Sequence, residues 1–213
     1  MKNNRMKKNF YIFVILLIIV FSGYFLWRMM VSPQYSLRQL EKAMDEQNVT
    51  AFNKYVAVDE VVDSIVVQTW EYYTSKEETG SRWSEIKNEI GNTLLSVVKP
   101  NLKEIIKKEV LDYIATGHWS SNEEGKENNI SSIVIQVIKE KIDPEQWDQQ
   151  SINYTEINGN IAQVGLTYLD KNKETNFLLE VKLRNMNGYW QIIEISNVAQ
   201  ILNMYQNIDN IES

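Results

Sequence analysis

Cysteine is missing from all 213 residues, and its absence excludes disulfides, thiolate nucleophiles and lipoprotein processing together. Histidine occurs once, as His118, and one histidine without cysteine cannot build a typical zinc site. The eight glycines form no phosphate-cradling pattern, and no G-x-S-x-G elbow is present. Proline appears three times, at Pro33, Pro100 and Pro144, and each reads as the break, restart or end of a helix. Positive charge is scarce beyond residue 28. That part holds all 28 acidic residues and only 17 of the 22 basic ones, a net charge of −11. Such a surface disfavours nucleic acid and anionic lipid headgroups as partners of the domain as a whole.

What the chain has in abundance is a hydrophobic run. Residues 10–27, FYIFVILLIIVFSGYFLW, are apolar on every side, with Ser22 and Gly23 the small interruptions. At helical rise this covers roughly 27 Å, close to the hydrocarbon thickness of a bilayer. A lone segment in lipid must satisfy its own backbone, so a helix is expected. Aromatic rings mark both ends, Phe10 and Tyr11 before it and Tyr24 and Trp27 after, where the membrane interface favours them. Lys2, Arg5, Lys7 and Lys8 crowd the short N-terminal side, against Arg28 just after the helix. The positive-inside rule then places residues 1–9 in the cytoplasm, residues 10–31 in the cell membrane as a single pass, and residues 32–213 outside. A cleaved signal peptide would end in an Ala-x-Ala site, which the run lacks.

The exported part reads as α+β. Ser32-Pro33 stops the anchor, and Leu37, Leu40 and Met44 then share one face of an amphipathic helix. After Gln47-Asn48 the helical pattern resumes over residues 51–73, with Val58, Val61, Val62, Ile65 and Val66 on its apolar side. Further helical stripes run over residues 83–98, 102–114 and 130–142, with a polar loop at 117–129. From Gln150 the period changes to two, and residues 152–157, 160–170, 176–186 and 189–196 read as a four-stranded antiparallel meander. Asn158-Gly159 and Asn187-Gly188 are hairpin signals, because both residues accept positive φ. A last helix is expected over residues 197–205. Helices first and a meander last make one α+β domain.

Two resemblances follow from these residues. Tyr35, Leu37, Leu40 and Ala43, a polar break, and then Tyr55, Val56 and Asp59 resemble the bacterial family catalogued as domain of unknown function 2939. That likeness implies a membrane-tethered exported domain and supplies no catalytic residues; Ala57 stands where many relatives carry an acidic residue. The ending Asn187, Gly188, Tyr189, Trp190 and Ile192 resembles the closing hairpin of nuclear-transport-factor-two-like (cystatin-like) domains. In those folds helices cover one face of a curved sheet, and the concave side can hold a ligand.

The catalytic inventory is thin. His118, Ser120 and Glu123 are loop neighbours, and neighbours in a loop rarely reach triad geometry. Asp59 and Asp63 share a helix face beside Glu60 and are the candidate ligands for a divalent cation or an acid/base pair. The plainer reading is a helix N-terminus whose carboxylates favour the positive end of the dipole. Trp70, Tyr73 and Trp83 are candidates for an aromatic interaction surface, weighed against ordinary core packing. No cofactor is expected. The expected function is binding without catalysis in the cell envelope, with an envelope protein as partner. The alternative is a small apolar ligand or lipid held between helices and sheet, and a hydrolase using acidic residues comes third.

Overall fold

The computed structural model describes residues 2–75, 100, 102–119 and 146–212. Among them the fold is α+β, with six helices and one four-stranded antiparallel sheet in meander order. The stripes expected at residues 83–98 and 130–142 lie outside the described residues.

The first helix, α1 (Lys2–Met30), contains one stretch, Phe13–Met30, long and apolar enough to cross a membrane. Its rows of Ile, Leu, Val and Phe are exposed along the helix. Ser32 ends α1 and starts the next helix, α2 (Pro33–Asp45). Its hydroxyl donates to Met29 O at 2.7 Å and accepts from Tyr35 N at 3.1 Å. Ser32 is extended (φ −85°, ψ 153°), as a residue before proline must be, and Pro33 occupies a first-turn position that needs no N–H. No linker separates the apolar helix from the domain.

α2 closes with Gln47 at φ 53°, its N–H donating to Met44 O at 3.0 Å, while Asn48 N donates to Ala43 O at 2.8 Å. That is a Schellman ending with glutamine in the left-handed position usually given to glycine. Asn48 then caps α3 (Val49–Tyr55) by accepting from Ala51 N.

The single helix expected over residues 51–73 is two. Val56 leaves helical geometry and forms a parallel bridge with Ile192, and Ala57 N donates to Ile192 O at 2.8 Å. α4 (Val58–Ser75) begins only after this crossing. A β-branched residue suits the extended position, and the bridge covers part of the outer edge of the last strand. A fifth helix, α5 (102–116), ends at Gly117 (φ 79°), where a Cβ would come within 2.8 Å of the Gln47 amide.

The strands are β1 (Trp147–Asn158), β2 (Ile161–Asp170), β3 (Thr175–Asn185) and β4 (Trp190–Ile195), paired in that order. β1 starts five residues earlier than the alternation suggested, because Trp147 pairs with Asp170 at the far end of β2. Its polar start WDQQS is tolerated on an edge strand, and register shifts near Gln150 and Asn153 bend it. The β3–β4 turn has both Asn187 (φ 56°) and Gly188 (φ 141°) at positive φ, as expected from the pair. The β1–β2 turn differs: its loop residues are Gly159 and Asn160, and only Gly159 (φ 62°) is positive. That places glycine at the first central position, the requirement of a II′ turn.

The last helix, α6 (Val198–Glu212), runs past the expected end at residue 205. Asn197 precedes it and replaces the missing neighbour of β3, accepting from Glu180 N at 2.9 Å and donating to Leu178 O at 2.7 Å. Gln68 of α4 ties in the same corner, donating to Ile195 O and accepting from Val198 N.

The core lies between one face of the sheet and helices α2 to α5. Ala162, Val164 and Leu183 are fully buried there, against Val62, Val66, Ile106 and Ile114 from the helices. Each buried side chain of this size contributes about 1.5–3 kcal/mol of transfer free energy.

Candidate functional site

The acidic first turn of α4 sits beside cations. Asp59 accepts from Lys107 of α5 with both carboxylate oxygens at 2.9 Å, and Asp63 lies 4.0 Å from Lys103. Glu60 takes Arg184 of β3 in a two-point pair at 2.7 and 3.1 Å. The hydrogen bond to Asp59 raises the Lys107 ammonium above its ordinary pKa, and the one to Glu60 does the same for Arg184. Asp59 and Asp63 therefore work as links from α4 to α5 and Glu60 as a link to β3. Among the described residues no group of three or more acidic or histidine side chains is placed to hold a metal ion.

His118 is exposed just after α5; Ser120 and Glu123 lie outside the described residues. Trp70 is half-buried on α4, while Trp83 and the side chain of Tyr73 lie outside the described residues. Tyr11 and Tyr24 are exposed on α1, and the side chains of Phe10 and Trp27 fall outside the description.

Two polar assemblies, one buried and one half-buried, have structural tasks. Asp170, 4% exposed, accepts from Asn172 N and Lys173 N in the β2–β3 turn and from the Tyr205 hydroxyl of α6. Trp147 Nε1 donates to the same Tyr205 oxygen at 3.2 Å, and Phe177 stacks among Trp147, Tyr168 and Tyr205. Burial, then Asp170, hold the Tyr205 phenol well above its ordinary pKa. On the opposite face of the sheet, Tyr154 lies across Gly165 and donates to Glu180. That hydrogen bond, with some burial, pushes the Tyr154 pKa up to about 12.

A different place gathers unspent chemistry. Where α1 meets α2, a groove of about 380 Å³ is lined by Phe25, Arg28 and Met29 on one side and by Gln34, Tyr35 and Arg38 on the other, with Ser32 at the corner. Gln34 is held by Thr155 of β1 at 2.9 Å. Among the described residues Arg28 reaches only the Tyr24 hydroxyl, at 3.4 Å, and Arg38 has no hydrogen bond or ion pair. Arg28 counts above as a topology charge, and nothing in the linear sequence joins it to Arg38. Ser32-Pro33 signals a turn between them, but not the direction in which it folds its flanks together. No family model, curated protein or solved structure matches the chain.

Proposed function

We propose that this chain is a single-pass protein of the cell membrane, carrying an extracytoplasmic domain that acts by binding a partner protein of the envelope, without catalysis. One observation carries the reading. The turn that follows the apolar helix and the start of α2 are joined to the sheet by direct hydrogen bonds, Trp190 Nε1 to Val31 O and Trp190 N to Ser36 Oγ, both at 2.8 Å. A domain fastened directly to the turn after such a helix is suited to work at the membrane surface rather than to range away from it. The basic flank before the helix supports the N-terminus-inside orientation. The carboxylates that could have served chemistry are spent on Lys107, Lys103 and Arg184. The resemblance to the domain of unknown function 2939 agrees with a tethered, exported module. The nuclear-transport-factor-two-like ending agrees with helices over one sheet face. The described part of the space between them is filled by Val62, Val164 and Leu183, which favours the partner-protein reading over a ligand pocket.

The test is crosslinking of the full-length chain in intact cells, with protease accessibility of the domain measured in parallel. Recovery of one envelope protein, with the domain digested from outside, supports the proposal. Native mass spectrometry that finds a stoichiometric small apolar ligand and no crosslinked protein would favour the pocket instead.

A further inference from the structure

We infer that the groove between α1 and α2 holds the headgroup of an anionic phospholipid, its phosphate oxygens between Arg28 and Arg38 and its chains along Phe25 and Met29. The inference rests on the membrane reading above. Its first support is the composition of the groove. Phe25 and Met29 belong to the stretch Phe13–Met30, so the apolar wall continues the surface that would face hydrocarbon. Arg28 and Arg38 border that wall, and the exposed Tyr35 ring lies beside them. An apolar wall with cations at one end matches an amphiphile with a negative head. A planar guanidinium suits phosphate through two parallel hydrogen bonds.

The second support is the state of the two arginines. The domain is rich in carboxylates, and Arg184 has taken Glu60 as a two-point partner. Arg38 has no such partner among the described residues, and Arg28 has only the long contact to a tyrosine hydroxyl. The −11 charge beyond residue 28 repels anionic lipid in general. A pair of uncommitted cations at the bilayer edge is where that repulsion is locally reversed.

The third support is the neighbourhood. Among the described residues outside α1, the exposed large hydrophobic ones are Tyr35, Met44, Ile157 and Met186. Tyr35 lines the groove, while Ile157 and Met186 flank the β1–β2 and β3–β4 turns. Both turns lie at the sheet end that Trp190 and Thr155 fasten to residues 31–36. Three of the four thus belong to the end facing the membrane, where apolar side chains can enter the headgroup layer.

The experiment uses the full-length chain in nanodiscs of phosphatidylcholine alone or mixed with phosphatidylglycerol, with retained lipid counted by native mass spectrometry. Phosphatidylglycerol should be retained in preference. Arg28→Gln and Arg38→Gln should each lower that preference about five-fold and the double variant roughly twenty-five-fold. Lys171→Gln, at the opposite end of the sheet, should leave it unchanged. Equal retention by wild type and the double variant overturns the inference while leaving the anchor intact. So does displacement of the lipid by excess inorganic phosphate, which would make a free anion the ligand. Failure of the chain to enter either kind of disc overturns the membrane reading along with it.

Discussion

Trp190 Nε1 donates to the carbonyl of Val31 at 2.8 Å, across 159 residues of sequence. The backbone N–H of the same residue donates to the Ser36 hydroxyl, and Ser36 is 1% exposed. The first residue of the last strand therefore closes the turn that follows the apolar helix. In Ser36→Ala the Trp190 N–H loses its partner in a buried position, which should cost about 1–3 kcal/mol. Chemical denaturation reads the loss, and hydrogen exchange should rise at residues 31–36 and 190 before it rises elsewhere.

Gly165 has no room for a side chain. A Cβ there would lie 2.3 Å from the Tyr154 ring, so Gly165→Ala must push the ring off the strand. We expect a loss of about 1–3 kcal/mol. A double-mutant cycle with Tyr154→Ala tests the cause, because alanine at 165 should cost far less once the ring is gone.

The Tyr154–Glu180 bond also sets a pH limit. The folded-state pKa is raised from the ordinary 10.0 to about 12, first by this hydrogen bond and then by burial. The contribution is complete below pH 10 and is lost as pH climbs toward about 12, because the unfolded chain gives up the proton earlier. In Tyr154→Phe the alkaline fall in stability over that interval should be shallower. Absorbance titration should show one fewer late-ionising tyrosine.

Asp170 and Tyr205 should behave as a coupled pair. Tyr205→Phe leaves a carboxylate oxygen and the Trp147 N–H short of a partner, at about 1.5–3 kcal/mol. Asp170→Asn should cost a similar amount, and the two together less than their sum. Thermal unfolding of the four chains measures it.

Removing charge at Asp59 or Asp63 should matter little, since Asp59 is exposed and Asp63 only half-buried. Each pair is expected to contribute about 0.2–1 kcal/mol, and high salt should erase most of it. Addition of calcium or magnesium should leave the melting temperature unchanged; a rise would revive the metal reading of these carboxylates.

Much of the frame was legible because it rests on local rules. Ser32-Pro33, the Asn187-Gly188 pair and the alternation of Ala162, Val164 and Leu166 each name their own geometry. The break at Val56 was hidden, because an apolar residue there fits a helix stripe as well as an edge bridge, and its partner Ile192 is remote in sequence. The early start of β1 was hidden for a related reason: its polar residues are fixed by pairing with β2, not by their own preference. The groove at Arg28 and Arg38 needed a fold direction at the turn. Composition pointed the other way, since an acidic domain gives no hint of two arginines gathered at its base.

Ser32, shared between two helices and backed by Trp190, has a mechanical consequence. A tethered domain on a floppy leash explores a hemisphere, and its height above the bilayer varies from moment to moment. On the proposed membrane reading, the hydrogen bonds at this joint would carry a tilt of the helix into the sheet, as a lever is turned by its axle. A partner gripping the sheet would feel changes in bilayer thickness. Its search would be confined to two dimensions at one fixed altitude.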